Sequence, residues 1–245
     1  MPGNAKFDNA DFIGDLADFA DVKFNKTANF ETAYFRKTPN FVEATFNGDV
    51  NFVRTNFSDD AIFNKIQYVS DVSFEGANFS GDAEFNETQF HKDADFSGSR
   101  FNKNGNFVEA QFDGDANFKG ALFNETVTFE EAKFCGYALF EGANFSNTST
   151  LCLNRTQCDK KIRLKWRAIE GDDKLPIVWW DDKDSKLVFD EEAYLTLYKN
   201  YRDLGWFEDA NKCYYEYMKH RECESFTGGC INTVLHVSYG YGGTI

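Results

Sequence analysis

The sequence predicts an all-β solenoid, a coil of short strands square in section, with a small α-helical hairpin towards its C-terminal end. Three observations carry this. Aromatic residues recur at alternating spacings of five and six residues without a break from Phe30 to Phe145. A small residue stands two places before almost every one of them. Beyond Phe145 the pattern yields to apolar residues at helical spacing.

The aromatic row runs Phe30, Phe35, Phe41, Phe46, Phe52, Phe57, Phe63, Tyr68, Phe74, Phe79, Phe85, Phe90 and onward, so the period is 11. The small residue is Ala28, Ala33, Ala44, Ala77, Ala83, Ala94, Ala110, Ala116, Ala121 or Ala143, with Val50, Val72 and Val127 as variants. A helix is excluded, because neither five nor six matches a 3.6-residue face and Asn, Gly, Asp and Thr fill the intervening positions. In a strand, residues two apart share a side, so the small residue and the aromatic both point inward while their neighbours face water. Four such units close a coil of 22 residues, with the extra residue of every second unit at a corner. From Phe7/Phe12 to Phe140/Phe145 this gives 6.5 coils, with one further insertion between Phe12 and Phe19, and a rod roughly 30 Å long at about 4.8 Å per coil.

Ala28-Asn29-Phe30, Ala77-Asn78-Phe79, Ala94-Asp95-Phe96, Ala116-Asn117-Phe118 and Ala143-Asn144-Phe145 resemble the motif of the pentapeptide-repeat family: a small residue, Asp or Asn, Leu or Phe, then two polar residues. The resemblance covers about residues 5 to 150. It implies a right-handed quadrilateral β-helix of 20 residues per coil, from which the 22-residue coil departs. Some members of the family are DNA mimics that bind type II topoisomerases.

Composition agrees with a sorted interior. The 245 residues include 28 Phe, yet mean hydropathy is −0.53. Asp and Glu total 40 against 26 Lys and Arg, a net of −14, and residues 1–150 carry −12 of it. Direct nucleic-acid binding is therefore not expected, whereas mimicry of nucleic acid is an alternative. The N-terminus lacks a basic start and an apolar run, and no stretch reaches the ~20 apolar residues of a membrane span, so the expectation is a cytoplasmic chain without a transmembrane segment. Six cysteines (135, 152, 158, 213, 223, 230) show no paired spacing, so they read as free thiols and no metal or cofactor is expected.

Registering the aromatics assigns outward residues to walls. The wall of Phe41, Phe63, Phe85, Phe107 and Phe129 carries Glu43, Glu84, Glu87, Glu109, Glu130 and Glu131 against Lys65, and is the candidate binding face. The wall of Phe35, Phe57, Phe79, Phe101, Phe123 and Phe145 sets Arg36, Lys37, Arg100 and Lys103 against Asp59 and Glu125. The inserted residues form two ladders, Thr27, Asp49, Asp71, Asp93, Asp115 and Thr38, Asp60, Asp82, Asn104, Thr126, Thr148. Their side-chain oxygens suit corner capping. Stacked carboxylates also repel, by ~1 kcal/mol per pair in water, so Asp49, Asp71, Asp93 and Asp115 are the weak candidates for cations.

The chain divides into the repeat coil (5–150), a capping segment (151–189), a helical hairpin (190–222) and a tail (223–245). Leu151, Leu153, Ile162, Leu164 and Trp166 predict irregular strands that cover the rod end, which repeat stacks need. Lys160, Lys161, Arg163, Lys165 and Arg167 form a basic cluster suited to acidic neighbours. Asp190 caps a first helix, Glu191 and Glu192 lie in its first turn and Gly205 follows its end; a second helix spans Phe207 to Glu222. Tyr194, Leu197, Tyr198 and Tyr201 face Ala210, Cys213, Tyr214 and Tyr217. Tyr194, Leu197, Tyr198, Tyr201, Tyr214 and Tyr217 are candidates for cap packing or for a homodimer through these helices. Gly205-Trp206-Phe207-Glu208-Asp209-Ala210 is similar to the inner part of a tetratricopeptide repeat. Tyr194-Leu195-Thr196-Leu197, Asn200-Tyr201, Leu204-Gly205, Glu208-Asp209-Ala210-Asn211 and Cys213-Tyr214-Tyr215 resemble the segment after the repeats in archaeal pentapeptide-repeat membrane proteins. There a Gly-Tyr-Gly stretch, here Tyr239-Gly240-Tyr241-Gly242, precedes transmembrane helices.

An enzyme needs titratable groups converging in a pocket, and His91, His220 and His236 are scattered. The expected function is a non-catalytic scaffold for an unidentified protein partner. The alternatives are an acidic DNA mimic directed at a type II topoisomerase and the soluble region of a membrane-anchored protein.

Overall fold

The computed structural model describes residues 3–169, 187–188 and 190–225. It is a β-solenoid of about seven turns followed by two helices. Each strand is only two residues long, from β1 (Ala5–Lys6) to β29 (Ile162–Arg163), and the strands stack into four parallel sheets, one per wall. In chain order the walls are A (opening with Ala5–Lys6), B (Asp11–Phe12), C (Ala17–Asp18) and D (Lys23–Phe24). The predicted stride holds: Asn56 lies under Asn78 and Asn78 under Arg100, each 22 residues on. The first coil is one residue longer, with Ala5 under Ala28 and Asp11 under Tyr34, and the extra residue falls in the predicted stretch between Phe12 and Phe19.

A strand of two residues has almost no pairing energy of its own, so the aromatic columns hold the coils together. Phe52 stacks on Phe74 at 4.8 Å and 6°, and Phe63 on Phe85 at 4.9 Å and 4°. The columns of walls A and C meet edge to face across the axis, as between Phe63 and Phe74 at 5.3 Å and 83°. Both geometries are favoured by the ring quadrupole. Each buried ring contributes on the order of 2 kcal/mol, and the Phe residues from Phe30 to Phe129 are buried. Where Thr or Ser replaces the inward small residue, its hydroxyl is satisfied by the backbone: Thr88 donates to the Phe63 carbonyl at 2.6 Å and Thr55 to that of Phe30 at 2.7 Å.

The bonds that flank the two-residue strands alternate in direction: on walls A and C they run forward to the next coil, as from the Phe52 N–H to the Ser73 carbonyl and from the Phe63 N–H to the Glu84 carbonyl, both at 2.7 Å, and on walls B and D they run back, as from Ser58 to Phe35 and from Asn47 to Phe24, both at 2.9 Å.

The corners are of two kinds. The A–B and C–D corners are tight and place one residue in the left-handed region. The B–C and D–A corners hold the inserted residue. There five aspartates accept the backbone N–H of their counterparts one coil on: Asp60 from Asp82 (2.8 Å), Asp82 from Asn104 (3.0 Å), Asp71 from Asp93 (3.2 Å), Asp93 from Asp115 (2.8 Å) and Asp115 from Tyr137 (2.9 Å). The ladder thus completes the hydrogen bonding of a corner that strand pairing leaves open. One member is misplaced by sequence spacing. Two extra residues in Ser146–Thr150 set Thr150, not Thr148, over Thr126, with their hydroxyls 2.8 Å apart.

Wall stacking continues past Phe145 through Leu151–Cys152, Gln157–Cys158 and Ile162–Arg163, each displaced by 24 residues from its partner, so the rod exceeds the 6.5 coils counted from the aromatics. Trp166 is not in a strand but in a 3-10 turn, Trp166–Ala168. Leu187 bridges in parallel to Leu151 on wall C. Helices α1 (Glu191–Asp203) and α2 (Phe207–Ser225) form the hairpin, the second longer than its sequence pattern indicated. Asp190 caps α1 by accepting from the Ala193 N–H at 2.8 Å, and Gly205 follows α1 at φ +70°. Cys223 falls in α2 beyond the described side chains, and Cys230, His236 and the Gly-Tyr-Gly stretch lie outside the described residues. Among the described residues no helix is long and apolar enough to cross a membrane.

Candidate interaction surface

The C–D corner carries one left-handed residue per coil: Asp21, Glu43, Lys65, Glu87, Glu109, Glu131 and Arg155. Glu43, Glu87, Glu109 and Glu131 therefore stand in one exposed row, one per coil, interrupted by Lys65. Glu130 adjoins the row, whereas Glu84 lies on the strand of wall C and accepts from the Asn106 amide at 2.7 Å and the Asn86 amide at 2.6 Å. Glu84 is thus bound into the wall's amide ladder rather than into the edge. Two cations stand against the row: Lys65 lies 3.6 Å from Glu87, and Arg155 lies 2.8 Å from Glu131 and 3.4 Å from Glu130. Arg155 was not legible as part of this edge, because it sits beyond the last aromatic of the repeat.

The equivalent corner between walls A and B takes Asn9, Thr32 and Arg54, then Gly76, Gly98, Gly120 and Gly142. The left-handed conformation costs a non-glycine L-residue roughly 1 kcal/mol and glycine nothing. One edge has adopted the relaxed residue in four consecutive coils; the other keeps glutamate.

The basic wall is more neutral than its sequence count. That count left out Asp11, which grips Arg36 through two bonds of 2.8 and 2.9 Å and whose carboxyl is held below its usual range by that guanidinium; Lys103 pairs with Glu125 at 2.8 Å. The cluster after the repeat is also largely paired: Lys161 with Asp203 (2.7 Å), Lys165 with Asp209 (3.0 Å), Arg163 with Glu141, and Lys160 near Asp115 (4.0 Å). Lys165 also lies over the Trp206 ring at 3.4 Å.

The hairpin residues pack within the chain. Tyr194, Leu197, Tyr201, Ala210, Cys213 and Tyr217 are buried, and Tyr198 meets Tyr214 at 5.2 Å on the outer side. Asp49, Asp71, Asp93 and Asp115 line one corner, where Asp71, Asp93 and Asp115 hold backbone N–H groups, and no group of three metal-ligating side chains is assembled among the described residues.

Sequence reading missed one cluster on wall D. His91 Nδ1 lies 2.9 Å from Asp113 Oδ2, whose other oxygen accepts from Gln111 at 2.7 Å, and these bonds, Gln111's first, hold the Asp113 carboxyl below its usual range. The signal was the 22-residue spacing of His91, Asp113 and Cys135. It does not form a nucleophile and base: burial and the Asp159 carboxylate push the Cys135 thiol up, and burial puts Cys158 at about 11 and Cys213 at about 12, so none offers a thiolate near neutrality.

Residues 30–77, 69–111 and 107–151 match the family model for pentapeptide repeats, in 9 copies. No curated protein and no solved structure matches this chain. The match stops short of the hairpin, so the archaeal membrane-protein likeness of that segment stays a resemblance of the quoted residues. The family's solenoids are in general not catalytic. The four parallel walls, the coil-to-coil aromatic columns and the matched repeats together make this chain a member of the pentapeptide-repeat family.

Proposed function

We propose that the chain is a non-catalytic scaffold that presents the C–D edge to a basic surface on a protein partner. The observation that carries the reading is the contrast between the two left-handed corners. Glu43, Glu87, Glu109 and Glu131 keep a conformation that glycine would hold with less strain, and glycine is what Gly76, Gly98, Gly120 and Gly142 supply on the other edge. Strain retained at exposed charges fits a surface selected for what it contacts rather than for stability. Partner charges meeting a rigid row at a fixed pitch lose little conformational entropy. Proteins retained from native lysate by the intact chain, compared with those retained by Glu43→Gln/Glu87→Gln/Glu109→Gln/Glu131→Gln, test it: a retained protein lost with the four carboxylates is expected, and capture indifferent to them overturns the reading.

A further inference from the structure

We draw no further inference here: the strongest candidate, the exposed apolar pair Ile13 and Leu16 at the first B–C corner of the solenoid, carries nothing because no feature of the structure shows what covers it.

Discussion

The side-chain amide of Asn200 takes both backbone groups of Ile162: its Oδ1 accepts the Ile162 N–H at 3.0 Å, and its Nδ2 donates to the Ile162 carbonyl at 2.8 Å. Ile162 opens the last strand of wall A, so a helix side chain supplies what the next coil would have supplied. Asp209 does the same for the Trp166 N–H at 2.9 Å while holding Lys165. The hairpin thus closes the ladder chemically as well as covering apolar surface.

Asn200→Leu fits the volume but leaves two buried backbone groups unpaired, which costs roughly 1–3 kcal/mol. The loss should appear first as raised hydrogen exchange at Ile162 and Leu164, ahead of any change at the central coils. Uniform loss of protection along the rod would contradict the capping role.

Tyr68 is the single tyrosine in a column of phenylalanines, stacked between Phe46 and Phe90 at 5.2 Å each, and its hydroxyl is buried without a hydrogen-bond partner. Tyr68→Phe keeps the stack and removes the stranded oxygen. It should raise stability by about 1 kcal/mol in urea unfolding.

Two glycines separate strain from space. A Cβ on Gly136 would come within 2.1 Å of the Gly114 carbonyl oxygen, whereas a Cβ on Gly120 meets nothing within 4 Å but sits at φ +64°. Gly120→Ala should cost about 1 kcal/mol. Gly136→Ala must move one coil against the next and should cost several times more, both read by urea unfolding.

Burial holds the Cys213 thiol at about 12, against an ordinary value of 9.0. A folded-state value raised above the unfolded one stabilises in full below pH 9 and loses that stabilisation as pH climbs from 9 towards 12, because the unfolded chain gives up its proton first. Unfolding of the hairpin followed by helical circular dichroism should show stability falling between those limits at up to roughly 1.4 kcal/mol per pH unit. Cys213→Ala should flatten the slope.

Much of the rod was legible because one rule repeats: small residue, outward residue, aromatic, with a corner insertion in every second unit. Coil length, wall membership and the first-coil insertion follow from it. Where the rule lapses, spacing misleads: Ser146–Thr150 carries two unsignalled residues, so Thr150 displaces Thr148 and Arg155 arrives over Glu131. Helix boundaries were partly readable from Asp190 and Gly205, but the binding of Asn200 to Ile162 was not, since it joins residues 38 apart through no repeated pattern. The glutamate row could be located, yet its left-handed backbone could not, because glutamate itself gives no cue to that conformation.

The corner aspartates tie the molecule to a quantum of length. Asp60, Asp71, Asp82, Asp93 and Asp115 each accept the backbone N–H 22 residues on, so excising or duplicating a whole number of coils leaves these corners with a donor and an acceptor, while any other change in length misaligns a ladder. The distance between two charges on the rod is therefore set in whole steps by gene length, in the manner of a ruler cut only at its marks.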